Sequence, residues 1–113
     1  MACGVRTQMS CQSEMMELLR WLQSWYSDQC DGNWEHEERI RLSTLDNPGW
    51  RLSIGLIDTP LDGRPFEAVS IERSDSDWLQ CSVKDSVFSG ACGAQNLIEM
   101  IEVFRDWAIS GLQ

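Results

Sequence analysis

Apolar side chains repeat with helical spacing near each end of the chain. A stripe at positions i, i+3, i+4 and i+7 predicts an amphipathic helix that buries one face. The first helix has a candidate cap at Ser10 or Ser13, and a turn cluster at 30–33 predicts that it ends near Asp28. The apolar members of its stripe are Met15, Leu18, Leu19, Leu22, Trp25 and Tyr26.

The second stripe predicts a helix that runs from Asn96 to about Ser110. Asn96 is a favoured N-cap residue, and Glu99 three positions later completes a capping-box-like pair. Gly111 is a natural residue just past a helix end. The apolar members of this stripe are Leu97, Met100, Ile101, Phe104, Trp107 and Ala108.

Between the two helices, apolar positions alternate with polar ones, which is the period of a β-strand. Turn clusters rich in Asp, Asn, Gly and Pro separate the alternating segments. His36 and Glu38 fall on the apolar parity of the first segment, so its first half is ambiguous. The segment 87–93 (VFSGACG) fits either a short edge strand or a loop. The predicted strands are 34–42, 50–56, 66–73 and 78–84.

The order of elements is therefore α-β-β-β-β-(β)-α. Successive hairpin-like links predict an antiparallel meander of four to five strands, with one face packed against the core and the other exposed to solvent. Because both amphipathic helices need an apolar surface, we predict a two-layer α+β domain with the N- and C-terminal helices on one face of the sheet. Residues 13–113 form this single domain, and residues 1–12 form a flexible N-terminal leader.

The chain is acidic, with a formal net charge of −9 over 113 residues. That charge argues against direct binding of nucleic acid and suits a basic protein partner, although many soluble proteins are simply acidic. No apolar run is long enough for a membrane span, and no signal segment precedes the first helix. The five cysteines include no CxxC pair, which disfavours disulfides and zinc and favours free thiols in the cytoplasm.

Two features could carry chemistry. His36 lies between Glu35 and Glu37, which is compatible with a metal site or an acid–base pair, but neighbours on a strand point to opposite faces. A structural hydrogen bond is the favoured role for this lone histidine. Cys92 precedes a predicted helix cap and is the best placed cysteine nucleophile, with no histidine near it in sequence. We therefore expect no enzyme activity, cofactor or metal.

The outward-facing positions of the predicted strands say more about function than His36 or Cys92. They carry polar and acidic side chains together with an outward Trp78, which is typical of a protein-binding surface. The alternative is a solvated face with Trp78 folded over an edge. Seven of these outward residues are candidate partner contacts: Glu35, Glu37, Arg39, Arg51, Glu72, Trp78 and Gln80. Asp31 and Trp34, from the corner between helix and sheet within Trp21–Glu37, complete the set.

Four strings resemble the bacterial immunity protein 53 family: WLQSWYSDQCDGNWEHE (21–37), TLDNPGW (44–50), IERSDSDW (71–78) and FSGACGAQNL (88–97). The resemblance extends over about Trp21 to Ala108. Its members are small cytosolic proteins encoded beside polymorphic toxins. The residues that most resemble the family pattern are Trp21, Trp25, Tyr26, Cys30, Asp31, Gly32, Trp34, Glu35, His36, Asp46, Asn47, Pro48, Gly49 and Trp50.

The resemblance implies an inhibitor that binds a cognate toxin domain without catalysis. Many toxins in such systems are nucleases, and an acidic inhibitor could cover a basic nuclease cleft. Two other functions stay open from the residues alone: a small hydrolase or metal-dependent enzyme centred on His36, and a structural subunit of a cytosolic complex. The sequence leaves the oligomeric state and the identity of the toxin open.

Overall fold

The structure, a computed structural model, describes the backbone of residues 2–110 and the side chains of residues 14–110. Three helices and five strands follow one another along the chain. They are α1 (Ala2–Gln29), α2 (Trp34–Glu37), β1 (Ile40–Leu45), β2 (Gly49–Gly55), β3 (Val69–Glu72), β4 (Trp78–Lys84), β5 (Val87–Cys92) and α3 (Leu97–Ser110). None of the helices within residues 2–110 is long and apolar enough to cross a membrane.

Helix α1 begins at Ala2, well before the predicted caps at Ser10 and Ser13, and ends at Gln29 as predicted. The backbone of residues 2–12 is thus helical, while the flexibility of this leader and the extent of the domain stay predictions. The apolar stripe is confirmed for Leu18, which is buried, and for Leu22 and Trp25, which pack against the core. Its other members, Met15, Leu19 and Tyr26, are exposed. The predicted end residue Gly111 lies outside the described residues.

The five strands form one antiparallel sheet in the order β1-β2-β5-β4-β3. The predicted α+β class is confirmed, but the continuous meander is wrong at one link. After β2, the chain crosses to the far edge, forms β3, and returns through β4 to β5, which pairs with β2. Segment 87–93 therefore contains a central strand rather than an edge strand or loop.

The small residues of β5 explain why it lies at the centre. Gly90 is opposite Leu52 on one side and Cys81 on the other. A Cβ atom at Gly90 would lie 2.7 Å from the Met100 sulfur of α3. The missing side chain thus lets α3 approach the middle of the sheet closely.

One face of the sheet carries the core. Helix α3 packs over β4 and β5, and α1 packs against α3 on the same side. Phe104 is fully buried at the junction, with edge-to-face contacts to Trp21, Trp25 and Phe88 at 5.8, 5.0 and 5.1 Å between ring centroids. The two helices and the sheet are therefore joined by one aromatic cluster.

Replacement of Gly49 by alanine tests the close packing of β2 against β5. The added Cβ atom would clash with the backbone carbonyl of Cys92, which cannot rotate away as a side chain can. We expect the free energy of unfolding to fall by about 2 kcal/mol in urea titrations. The control Gly63→Ala, with φ of +80° and no atom within 4 Å, should lose only about 1 kcal/mol, and equal losses would contradict this packing.

Candidate partner-binding site

The sheet face opposite the helices forms a shallow groove of about 500 Å³. Its floor consists of small side chains from four strands, so the backbone lies close to the surface. We call this depression the outer groove. Its outward-pointing lining residues are Arg51, Ser53, Ser70, Gln80, Ser82, Ser89 and Ala91.

Strand register arranges these side chains in two rows. In one row, Ser53 lies opposite Ser89, which lies opposite Ser82. In the next row, Arg51 and Gln80 lie on either side of Ala91. Directly opposed residues on one face have Cβ atoms about 5 Å apart, so small side chains in the middle and longer ones beside them leave a trough.

Trp78 and Glu72 lie opposite each other at one end of the outer groove. Both side chains point to the same outer face of the sheet as Gln80, as the alternation predicted. Trp78 is half-buried, and its indole N–H has no hydrogen-bond acceptor among residues 14–110. An amphipathic ring with a free donor is well suited to contact a partner.

A second depression of about 290 Å³ adjoins the other end and shares Ser53 with the outer groove. Glu37, Glu38 and Asp85 line it together with Arg41. Ile57 also lines it, and 44% of its surface is exposed. We call this region the acidic end. An exposed apolar side chain within a charged surround resembles the anchor-and-rim arrangement of protein interfaces.

The structure corrects the first half of the first predicted strand. Trp34 to Glu37 form the short helix α2, and β1 begins only at Ile40. Asp31 Oδ1 accepts hydrogen bonds from the backbone amides of Asn33 and Trp34, at 2.9 and 3.0 Å. These local bonds lower the pKa of Asp31, Trp34 contributing most, and they hold a helical start that competes with strand alternation.

Glu35 completes the same corner from the other side. Its carboxylate accepts hydrogen bonds from the backbone amides of Asp31 and Gly32 at 3.0 and 2.9 Å. Hydrogen bonds from its own amide and from these two lower its pKa. Glu35 therefore stabilises the corner, whereas Glu37 is exposed at the acidic end.

Trp34 is not a surface residue, although it was among the candidate partner contacts. Only 3% of its surface is exposed. Its indole nitrogen donates a hydrogen bond to the Gly55 carbonyl at 3.3 Å, and its ring packs edge-to-face on Trp25 and Tyr26. Trp34 thus attaches the corner to β2 and belongs to the interior.

The remaining candidate contacts are distributed over two places. Arg51 and Gln80 line the outer groove, and Trp78 and Glu72 form the next outward pair beyond its lining. Asp31 and Arg39 are exposed at the corner, where Arg39 has a φ of 49° and donates to the His36 carbonyl at 2.8 Å. The corner, the acidic end and the outer groove with the adjoining Trp78–Glu72 pair account for every candidate except the buried Trp34.

Several residues of the site were not predicted. Ser89 and Ala91 were missed because β5 was left between strand and loop. The sequence pattern that could have identified them is the alternation with Phe88, Gly90 and Cys92, which face the core. The acidic end also includes residues from turns, which strand periodicity does not report: Glu38, Ile57 and Asp85.

His36 is exposed on α2, so the strand argument that separated it from Glu35 and Glu37 does not apply. Among residues 14–110, no group of three or more His, Cys, Asp or Glu side chains could hold a metal ion. Cys92 is fully buried and burial raises its pKa, which keeps the thiol protonated and out of reach. Burial raises the pKa of Cys81 to about 12, as expected for an inward-facing thiol.

A polar network ties the turn after β3 to the start of α3. Arg73 donates to Asp77 at 2.8 Å and to Glu99 at 2.7 Å. The Asn96 amide donates to the same two carboxylates at 2.9 and 3.1 Å. Asn96 therefore precedes α3 as predicted, but Glu99 bonds to its side chain rather than to its backbone.

This network predicts acid sensitivity. Bonding to Asn96 and Arg73 lowers the pKa of Asp77, and bonding to Arg73 lowers that of Glu99. Because these folded-state pKa values are depressed, their contribution is complete above the ordinary values of 3.8 and 4.5 and is lost as pH falls below them. Urea titrations should show a smaller loss between pH 5 and 3 for Arg73→Ala than for the parent, and equal losses would contradict this origin.

Fold and site define an acidic α+β protein with one uncovered sheet face and no catalytic constellation among its described side chains. A family model described as Immunity protein 53 matches residues 19–109, and the chain belongs to that family. Comparison with curated proteins and with solved structures finds no match.

Proposed function

We propose that the chain is an immunity protein that binds and neutralises a cognate bacterial toxin domain in the cytoplasm of the cell that makes it. Inhibition occurs by non-catalytic protein–protein contact. Family membership over residues 19–109 supports the toxin-neutralising role. The observation that carries the mode of action is the outer groove, a sheet face of small side chains that no other described element covers.

The outer groove has the properties of a protein-binding surface. Small floor residues such as Ser89 and Ala91 allow a partner element to approach the sheet closely. Trp78 offers an aromatic anchor, and Arg51 and Gln80 offer hydrogen-bond donors beside it. Interfaces concentrate their binding energy on such aromatic and arginine side chains, so this face suits a specific partner.

Charge favours a basic toxin surface at the acidic end. The chain carries a net charge of −9, and Glu37, Glu38 and Asp85 surround the exposed Ile57. Opposite potentials accelerate encounter and discriminate against wrong partners. A nuclease domain, whose cleft must be basic to hold phosphates, is the toxin class that fits this surface best.

Protection in cells tests the function. Family membership leads us to expect a toxin domain encoded beside this gene, and that domain should arrest growth when it is expressed alone in a heterologous bacterium. Co-expression of the present chain should restore growth, and the two proteins should co-purify. Continued arrest despite a soluble, folded chain would refute the proposed function.

Reversal of one charge tests the acidic end separately. Glu37→Lys should weaken toxin binding roughly three- to tenfold and lower the association rate, because an attractive rim charge becomes repulsive. Glu17→Lys on the exposed surface of α1 changes the net charge equally but lies outside both depressions. Equal effects of the two variants in kinetic binding assays would remove the acidic end from the interface.

A further inference from the structure

The β1 edge of the sheet presents free backbone hydrogen-bonding groups. Arg39 accepts a hydrogen bond from the Gly55 amide across the β1–β2 pair. Backbone groups of successive strand residues point to opposite sides. Since the Gly55 amide points toward β1, the backbone groups of Ser53 and Arg51 on the same strand also point toward β1. The register pairs Ser53 with Arg41 and Arg51 with Ser43, so the backbone groups of Arg41 and Ser43 point toward β2. The N–H and C=O groups of Ile40, Leu42 and Thr44 therefore point away from the sheet.

These outward groups have no hydrogen-bond partner among the described residues, and residues 41–44 are all exposed. The strand lacks several of the usual protections of an edge: it contains no proline, no bulge and no charge on its core-facing side, and its single charge is Arg41 on the outer side. The opposite edge is less available. There β3 has only four residues, and the chain is held by the Arg73 network directly after it.

The side chains at this edge indicate what would pair with it. Leu42 points to the same side as the core, yet 48% of its surface is exposed because α3 packs mainly over β4 and β5. Arg41 and Arg51 lie on the outer side and form no ion pair among residues 14–110, although Glu37 and Glu38 line the same depression as Arg41. An added strand would need apolar side chains beside Leu42 and acidic ones beside Arg41, with Arg51 one strand further in.

We infer that β1 is a docking edge for an extended segment of the partner protein in which apolar and acidic residues alternate. The segment adds a sixth strand to the sheet, with main-chain bonds to Ile40, Leu42 and Thr44. This inference rests on the proposed function in taking the toxin as the natural source of that segment. It places the segment beside the outer groove, so one toxin surface can engage both.

A peptide probe tests the edge without the toxin. An acetylated peptide of alternating valine and glutamate should shift the amide resonances of Ile40, Leu42 and Thr44 in a saturable NMR titration. A peptide of alternating valine and lysine should bind roughly two- to fivefold more weakly, because it lies beside Arg41. N-methylation of the pairing amides of the glutamate peptide should abolish the shifts, and unchanged binding after methylation would overturn strand addition.

Thr44→Pro provides the test in the protein. Proline removes an amide that points outward, so the pairing of β1 with β2 is kept and the variant should retain its circular dichroism spectrum. Peptide binding should fall at least fivefold. Parent-like binding by this variant, or a parent protein that is a stable dimer blocked at these amides in the absence of peptide, would overturn the inference.

Hydrogen exchange in the toxin complex separates this inference from the proposed function. Protection of the Ile40, Leu42 and Thr44 amides upon toxin binding is the expected result. A toxin that binds and is inhibited without protecting them would leave the proposed function standing and exclude β1 as the docking edge. A toxin that does not bind would refute the proposed function, and the peptide titration would then decide the edge alone.

Discussion

Trp34→Ala should lower the free energy of unfolding by about 3–5 kcal/mol, the usual loss when a buried tryptophan is truncated. The change removes the packing on Trp25 and Tyr26 and the hydrogen bond to the Gly55 carbonyl. It thereby detaches the corner before β1 from β2. Urea titrations at neutral pH measure the loss directly.

Two companion variants show whether Trp34 acts through the fold or through binding. Trp34→Phe keeps an aromatic ring without the N–H donor and should lose only about 1–2 kcal/mol. Trp78→Ala, at the half-buried end of the outer groove, should lose less stability than Trp34→Ala but bind toxin more weakly. A Trp34→Ala variant as stable as the parent would show that the side chain is not part of the interior.

Ser89→Arg should weaken toxin binding at least about a hundredfold while the protein stays folded. Ser89 is exposed at the middle of the outer groove, between Ser53 and Ser82. A long charged side chain there fills the trough and keeps a partner away from the sheet. The same substitution at Ser27, exposed on α1, is the matched control and should leave binding within about twofold.

Unchanged toxin affinity in Ser89→Arg would exclude the outer groove as the interface. Thermal unfolding of both arginine variants is the necessary companion measurement, because a loss of binding that follows a loss of structure would carry no information about the surface. Since both serines are exposed, we expect their melting temperatures to differ little from that of the parent.

The faces of the sheet could be predicted from the sequence, whereas the order of its strands could not. Alternation assigns Leu79 and Cys81 inward and Gln80 outward whichever strand lies beside them, because the period of two depends only on local backbone geometry. The link from β2 to β3 depends instead on which strand can occupy the centre. Gly90 favours a central position for β5 because it allows the close approach of Met100, a contact between a strand and a helix that strand alternation does not report.

The corner at 31–37 shows a second reason why part of the structure could not be predicted from the sequence. Trp34 and His36 alternate with Glu35 and Glu37, which predicts a strand, but the Asp31 and Glu35 carboxylates accept hydrogen bonds from nearby backbone amides and hold a helical turn instead. Asp31 was the available signal, since an aspartate side chain often accepts hydrogen bonds from backbone amides two and three residues further on. At the acidic end, turn residues such as Ile57 and Asp85 come together only in the folded chain.

The central claim is that this chain neutralises a toxin through its uncovered sheet face. A calorimetric titration of the purified toxin domain with the parent chain and with Ser89→Arg, combined with an assay of toxin activity at each point, tests it most directly. We predict saturable binding with loss of toxin activity for the parent and neither for the variant. Absence of binding by the parent, or equal inhibition by both proteins, would contradict the claim.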